Sequence, residues 1–167
     1  NIKSGQILIG DKERRIDGDT LHKLRKRTNL SQYDVLLTTV GTIGEVAMIR
    51  SSNIPFELQR SVAILRTDSE SCTPEFLYQF VKSNRFIHEA EARSEGSVQK
   101  CLFLGAIKAV ELIIPSIELM RTFDDIIKGQ YARLECNNRE TTTLAKLRDV
   151  LLPKLISGEL RIPQAEK

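Results

Sequence analysis

The sequence predicts an α+β protein, a mixed β-sheet with short helices followed by one long C-terminal α-helix that forms an antiparallel coiled coil. Short β-branched and aliphatic runs between turn signals, such as VLLTTV, EVAMI and SVAILR, read as strands. Phe76, Leu77, Phe80 and Val81 then recur at helical spacing behind a Thr-Pro start signal. From Glu118 onward no Pro occurs before Pro153 and Gly129 is the only Gly. Some 35 residues there form a single helix about 50 Å long. The chain therefore divides into residues 1–116 and 117–167.

Taken in order, the alternation in NIKSGQILIG places a short strand at Gln6–Ile9. Asp19–Arg27 reads as a turn or two of helix, and residues 29–33 as a loop. Val35–Val40 and Glu45–Ile49 are strands joined by the glycines of GTIG, and Ser61–Arg66 is a third strand. Thr73 caps a helix that has Pro74 at its first position and ends near Asn84. A second helical piece follows at Arg85–Ala92, then a short turn at Leu104–Lys108. Val110–Ile114 is expected to be the last strand, stopped by Pro115. In the long helix Phe123, Ile127, Gln130, Leu134, Asn137, Thr141, Leu144, Arg148, Leu151 and Leu155 step alternately by four and three. This is a heptad seam, apolar at both ends and polar in the middle, and it calls for a second helix.

Composition narrows the function. Hydrophobic residues make up 41% and charged residues 28%, which excludes a disordered or collagen-like chain. Runs such as VELIIP are far too short to cross a bilayer, and no stretch reads as a signal peptide. The cytoplasm is the expected compartment, with no membrane partner. Cys72, Cys101 and Cys136 lack CxxC spacing, so neither a disulfide framework nor a metal site is expected, and all three read as small buried residues. Enzymatic patterns are missing. His22 and His88 are the only histidines and lie far apart, Asp124 and Asp125 point to different sides of a helix, and no GxSxG elbow occurs. GTIG is no phosphate loop, since GxxxxGK[ST] is absent and a strand follows it. No cofactor is expected.

Net charge is only +3, but it is unevenly spread. Between Lys12 and Arg27, Lys12, Arg14, Arg15, Lys23, Arg25, Lys26 and Arg27 face only Glu13, Asp17 and Asp19. Such a cluster either neutralises nucleic-acid phosphates or is a solvated face.

In order and spacing, DVLLTTVGTIGEVAMI, RSVAILRT, PEFLYQFVKS, GSVQKCLFLGAIKAVELIIPSIE and LAKLRDVLLPKLISGELRI together resemble the specificity subunit of type I restriction-modification systems, with LLPKLISGEL the most telling piece. The resemblance implies a non-catalytic protein in which residues 1–116 are a target-recognition domain and 117–167 a conserved-region helix with a C-terminal tail. In that family two recognition domains, each followed by such a helix, read the two halves of a split DNA sequence, and the helices run antiparallel. The implied partners are double-stranded DNA, methyltransferase subunits, an optional restriction subunit, and a second recognition half in the same chain or in a homodimer. The family usually has further residues before the segment matching GQILIG. It also has a Glu-Gln pair where this chain reads PSIELMRTF, with Met120 about where Gln is expected, so that junction is expected to pack differently.

On this reading Lys23, Arg25, Lys26 and Arg27 contact phosphates. Thr39, Thr42, Arg60, Ser61, Ser97, Gln99 and Lys100 contact phosphates or base edges, with Gln99 favoured for adenine because its amide is bidentate. Phe123, Ile127, Leu134, Asn137, Thr141, Leu144, Leu151 and Leu155 pair the helix. The competing reading is a coiled-coil interaction module with no DNA role.

Overall fold

The computed structural model describes residues 1–10, 13–93 and 101–160. The chain forms two units, Asn1–Asp124 and Asp125–Lys167. The first opens with a hairpin of β1 (Ile2–Lys3) and β2 (Gln6–Ile7). Its turn residues Ser4 and Gly5 have φ of 51° and 80°, the left-handed pair that a two-residue type I′ turn requires. The strand expected at Gln6–Ile9 is thus shorter and pairs with the residues just before it.

α1 (Gly18–Thr28) begins at Asp17, whose carboxylate accepts from Thr20 N–H at 2.7 Å and Thr20 Oγ1 at 2.8 Å. It ends at left-handed Asn29, after Arg25, Lys26 and Arg27 in the last turn, where the helix dipole favours cations.

The sheet comprises β3 (Val35–Thr38), β4 (Val46–Met48) and β5 (Val62–Leu65) in the order β4-β3-β5. A mixed sheet was the expectation; every pairing among the described residues is antiparallel. Val35, Leu36 and Leu37 of the central strand are fully buried, so both faces are covered and the strand reads as an unbroken apolar run. Leu36 and Ala47 join Ile2, Leu30, Ile49 and Ile54 in one apolar cluster. Fully burying each Leu contributes about 1.5–3 kcal/mol.

α2 (Pro74–Lys82) packs against β3 and β4, and α3 (Asn84–Ala92) follows directly. Their caps are Thr73, accepting from Phe76 N–H at 3.3 Å, and Ser83, accepting from Phe86 N–H at 3.2 Å. α4 is Leu104–Lys108. The expected strand Val110–Ile114 does not form, and Ile113 is 75% exposed. Its composition suits a strand, but a strand exists only as a ladder, and among the described residues no backbone pairs with it. Instead Arg85 Nη2 donates to the Glu111 carbonyl at 3.3 Å.

α5 spans Ile117–Ile156. Its first two turns belong to the first unit. Met120 is buried, Phe123 meets the Phe76 ring edge-on at 6.3 Å, and Thr73 Oγ1 donates to Asp124 Oδ1 at 3.0 Å. The helix continues past Pro153, which removes one N–H close to the end. Gly158, at φ 75°, ends it, with Gly158 N–H on Leu155 O (3.2 Å) and Leu160 N–H on Lys154 O (3.0 Å).

In the second unit Leu134, Asn137, Thr141, Leu144 and Leu151 of the seam are exposed, whereas Ile127 and Leu155 are half-buried. Ile126, Leu147, Val150, Leu152 and Ile156 are also exposed, so the apolar surface is broader than the seam. Gly129 leaves a notch beside Ile126, Gln130, Arg133, Leu134 and Asn137. Thr141 Oγ1 donates to the Asn137 carbonyl at 2.8 Å, tying one polar seam residue to the other's backbone. Cys72 is buried as expected and Cys101 half-buried, but Cys136 is exposed, because its position on α5 faces nothing in this unit.

Candidate nucleic-acid interface

At 100° per residue, Lys23, Lys26 and Arg27 fall within one arc of about 100° on α1, and Leu21, Leu24, Arg25 and Thr28 fall on the opposite side. Burial follows that division. The first three are exposed and the other four half-buried. Arg25 is therefore unlike its neighbours. Its Nη2 donates to the carbonyls of Ile54 (2.6 Å) and Phe56 (3.1 Å), and its Nε lies 4.0 Å from the buried Glu57 carboxylate. It fastens α1 to the 54–58 loop, while Thr28 Oγ1 adds a bond to Glu57 at 2.9 Å. The signal for this role was in the sequence, since position 25 shares an arc with Leu21 and Leu24.

The loop between β3 and β4 carries GTIG. Gly41 and Gly44 have φ of 77° and 91°, values that L side chains rarely adopt, so the glycines are there for conformation. Thr38 organises the turn. Its hydroxyl donates to the Thr42 carbonyl and accepts from Glu45 N–H at 3.0 Å. Thr39 is buried, with its N–H and its hydroxyl both on the Ser61 carbonyl at 2.8 and 3.1 Å. Thr42 and Arg60 are exposed and Ser61 is half-buried.

Ser97, Gln99 and Lys100 lie outside the described residues. Cys101, the residue after them, bridges Val40, and Leu102 N–H donates to Thr39 O at 2.8 Å.

The register divides these residues between the two ends of the sheet. Thr38, Val46 and Val62 mark the end that carries GTIG, Arg60, Ser61 and Cys101. Val35, Met48 and Leu65 mark the other end, where the loop 31–34, Arg66 and the C-terminus of α1 meet. The four residues of β3 separate the ends by about 10 Å.

A polar knot holds the second end together. The Asp34 carboxylate, 2% exposed, accepts Arg66 Nε at 2.6 Å and Nη2 at 2.8 Å, and also Ser31 N–H at 2.9 Å. The same Nη2 donates to the carbonyls of Thr28 (3.0 Å) and Asn29 (2.7 Å), so one guanidinium joins the end of α1 to the start of β3. The Asp34 hydrogen bond raises the Arg66 pKa, keeping it charged at every accessible pH. Nearby, Arg50 Nη2 donates to both oxygens of the buried Glu75, at 3.0 and 3.3 Å.

Between these features sits Tyr33, at φ 72° and 52% exposed. A left-handed conformation costs a residue with a Cβ about 1–2 kcal/mol. Sequence reading passed over Tyr33 as a loop residue. The Ser31–Asp34 pairing that creates its turn was the available signal.

No family model matches the chain. It is similar to type I restriction enzyme specificity subunits. It is 28% identical over 127 residues to the HindI specificity subunit of Haemophilus influenzae, which covers 75% of this chain and 27% of that protein. It is 24% identical over 115 residues to the MjaIX specificity subunit of Methanocaldococcus jannaschii, covering 69% of this chain and 27% of that protein. The chain thus spans about a quarter of the length of the curated relatives it matches. Among the described residues no helix is long and apolar enough to cross a membrane.

Proposed function

We propose that this chain is a non-catalytic DNA-recognition part of a type I restriction-modification complex in the cytoplasm. Residues 1–116 read one half of a bipartite target on double-stranded DNA. Residues 117–167 supply the helix that pairs antiparallel with a second such helix and docks methyltransferase subunits, alongside which a restriction subunit acts where the system has one. The observation that carries the reading is the division on α1, which exposes Lys23, Lys26 and Arg27 along one arc while the fold consumes Arg25. The exposed cations can reach a phosphate backbone, whereas Arg25 cannot.

Thr42, Arg60 and Ser61 are the candidates for contacts at the GTIG end, with Thr39 a support beneath them, and Ser97, Gln99 and Lys100 remain candidates from the sequence. Phe123 and the half-buried and exposed seam residues Ile127, Leu134, Asn137, Thr141, Leu144, Leu151 and Leu155 are the candidates for helix pairing. The exposed apolar surface of α5 favours a second reading, a coiled-coil module that binds only protein. Duplex binding by the complex of this chain with methyltransferase subunits separates the two. Sequence-specific binding supports the first reading, and complex formation without DNA binding supports the second.

A further inference from the structure

We propose that Tyr33 is an additional DNA contact, its phenol hydroxyl donating to a backbone phosphate of the duplex along which Lys23, Lys26 and Arg27 lie. The inference rests on the DNA-recognition reading above and adds a residue to it. Tyr33 occupies a left-handed conformation, φ 72°, in which glycine is unstrained and a bulky side chain is an outlier. The residue is 52% exposed. The turn conformation therefore does not call for a tyrosine at this position.

Its placement suggests what does. Asp34, the next residue, shares the Arg66 guanidinium with the carbonyls of Thr28 and Asn29, so Tyr33 stands beside the basic last turn of α1. Tyr33 N–H donates to Ile49 O at 2.6 Å, and Gln32 Nε2 donates to Arg50 O at 2.7 Å, so the turn is held by the segment that follows β4. A contact made from a fixed turn loses little conformational freedom on binding. Among the described residues the phenol hydroxyl has no hydrogen-bond partner. A donor on a turn next to the basic last turn of α1 suits a phosphate oxygen better than an apolar or cationic protein surface.

The test uses Tyr33→Phe, which removes only the hydroxyl, and Tyr33→Gly, which also relieves the backbone. Both are compared with wild type in thermal unfolding and in binding to mixed-sequence duplex DNA at low salt, alone and with methyltransferase subunits. Tyr33→Phe is expected to unfold at the wild-type temperature. Both variants are expected to bind the duplex about tenfold more weakly whatever its sequence, the value of one hydrogen bond to a charged group.

Wild-type affinity in both variants overturns the proposal. Loss of methyltransferase binding with duplex affinity intact makes Tyr33 a protein contact and also overturns it. A wild-type chain that binds no duplex in either setting overturns the DNA reading itself, a result distinct from the others.

Discussion

Arg66 holds Asp34 in a two-pronged pair, Nε to Oδ1 at 2.6 Å and Nη2 to Oδ2 at 2.8 Å, with the carboxylate buried and the guanidinium half-exposed. The asymmetry of burial makes the two partners unequal. Removing Arg66 strands a buried carboxylate and deprives the Thr28 and Asn29 carbonyls of their donor, whereas removing Asp34 leaves a cation that reaches water. Arg66→Ala is expected to cost about 3 kcal/mol in chemical denaturation. Arg66→Lys should recover only part of that, because an ammonium cannot fork to both oxygens. Equal stability of Arg66→Lys and wild type would show that the fork geometry is unimportant.

The four cations of α1 should separate into two classes. Replacing Lys23, Lys26 and Arg27 by Ala is expected to lower the log–log salt slope of duplex binding by about 0.9 for each phosphate that is no longer neutralised, with stability unchanged. Arg25→Ala is expected to lower stability by about 1–3 kcal/mol, since it frees two carbonyls and the buried Glu57. A slope that does not move in the triple variant would make the arc a solvated face.

At the other end of the sheet the threonines divide similarly. Thr39→Ala loses a buried hydroxyl on Ser61 O and is expected to destabilise by about 1 kcal/mol without altering the salt slope. Thr42 is exposed, and Thr42→Ala should leave the unfolding temperature where it was. Gly44→Ala finds room, its nearest neighbour being an Ile87 carbon 3.8 Å away, yet φ 91° makes it strained. About 1–2 kcal/mol is expected from backbone conformation alone.

Capping makes α1 sensitive to acid. Hydrogen bonds from Thr20 hold the Asp17 carboxyl below its ordinary value. A depressed folded-state pKa contributes stability that is present above the unfolded value, about 3.9, and is lost as pH falls through the folded one. Amide exchange in the first turn of α1 should therefore rise at low pH in wild type, and Asp17→Asn should flatten that response.

Much of this fold was legible because local signals and tertiary partners agreed. Thr73-Pro74 starts a helix where its side chains predict it, and the central β3 is as apolar as two covered faces require. Val110–Ile114 misled for a physical reason, as propensity describes a residue and not whether a neighbouring strand exists. The seam reaches Leu155 beyond Pro153 because a helix near its end loses only one bond to a proline, while Gly158 supplies the conformation that ends the turn. At the candidate site the charge of α1 was visible in the sequence. The structural roles of Arg25 and Thr39 were not, because they depend on carbonyls 22 to 31 positions away. The turn at Tyr33 had a signal in Ser31 and Asp34, but its left-handed φ is a dihedral angle that the sequence does not show.

The helix-pairing proposal carries its own consequence. A pair of such helices running antiparallel sets Gln130, Asn137 and Thr141 against one another and leaves the apolar ends to meet apolar ends. Leu134→Asp with Leu144→Asp is expected to abolish association, because charges would be buried unpaired. Asn137→Leu with Thr141→Leu should tighten association and broaden its stoichiometry. Light scattering reads both, and a wild-type chain that stays monomeric at high concentration contradicts self-pairing.

The most direct measurement is a map of DNA methylation in cells expressing the protein with methyltransferase subunits, before and after residues 1–116 are exchanged for the corresponding domain of another specificity subunit. A recognition domain predicts that one half of the methylated sequence changes while the other half and the modification activity persist. An unchanged methylated sequence in the exchanged protein would contradict the assignment of DNA reading to this domain.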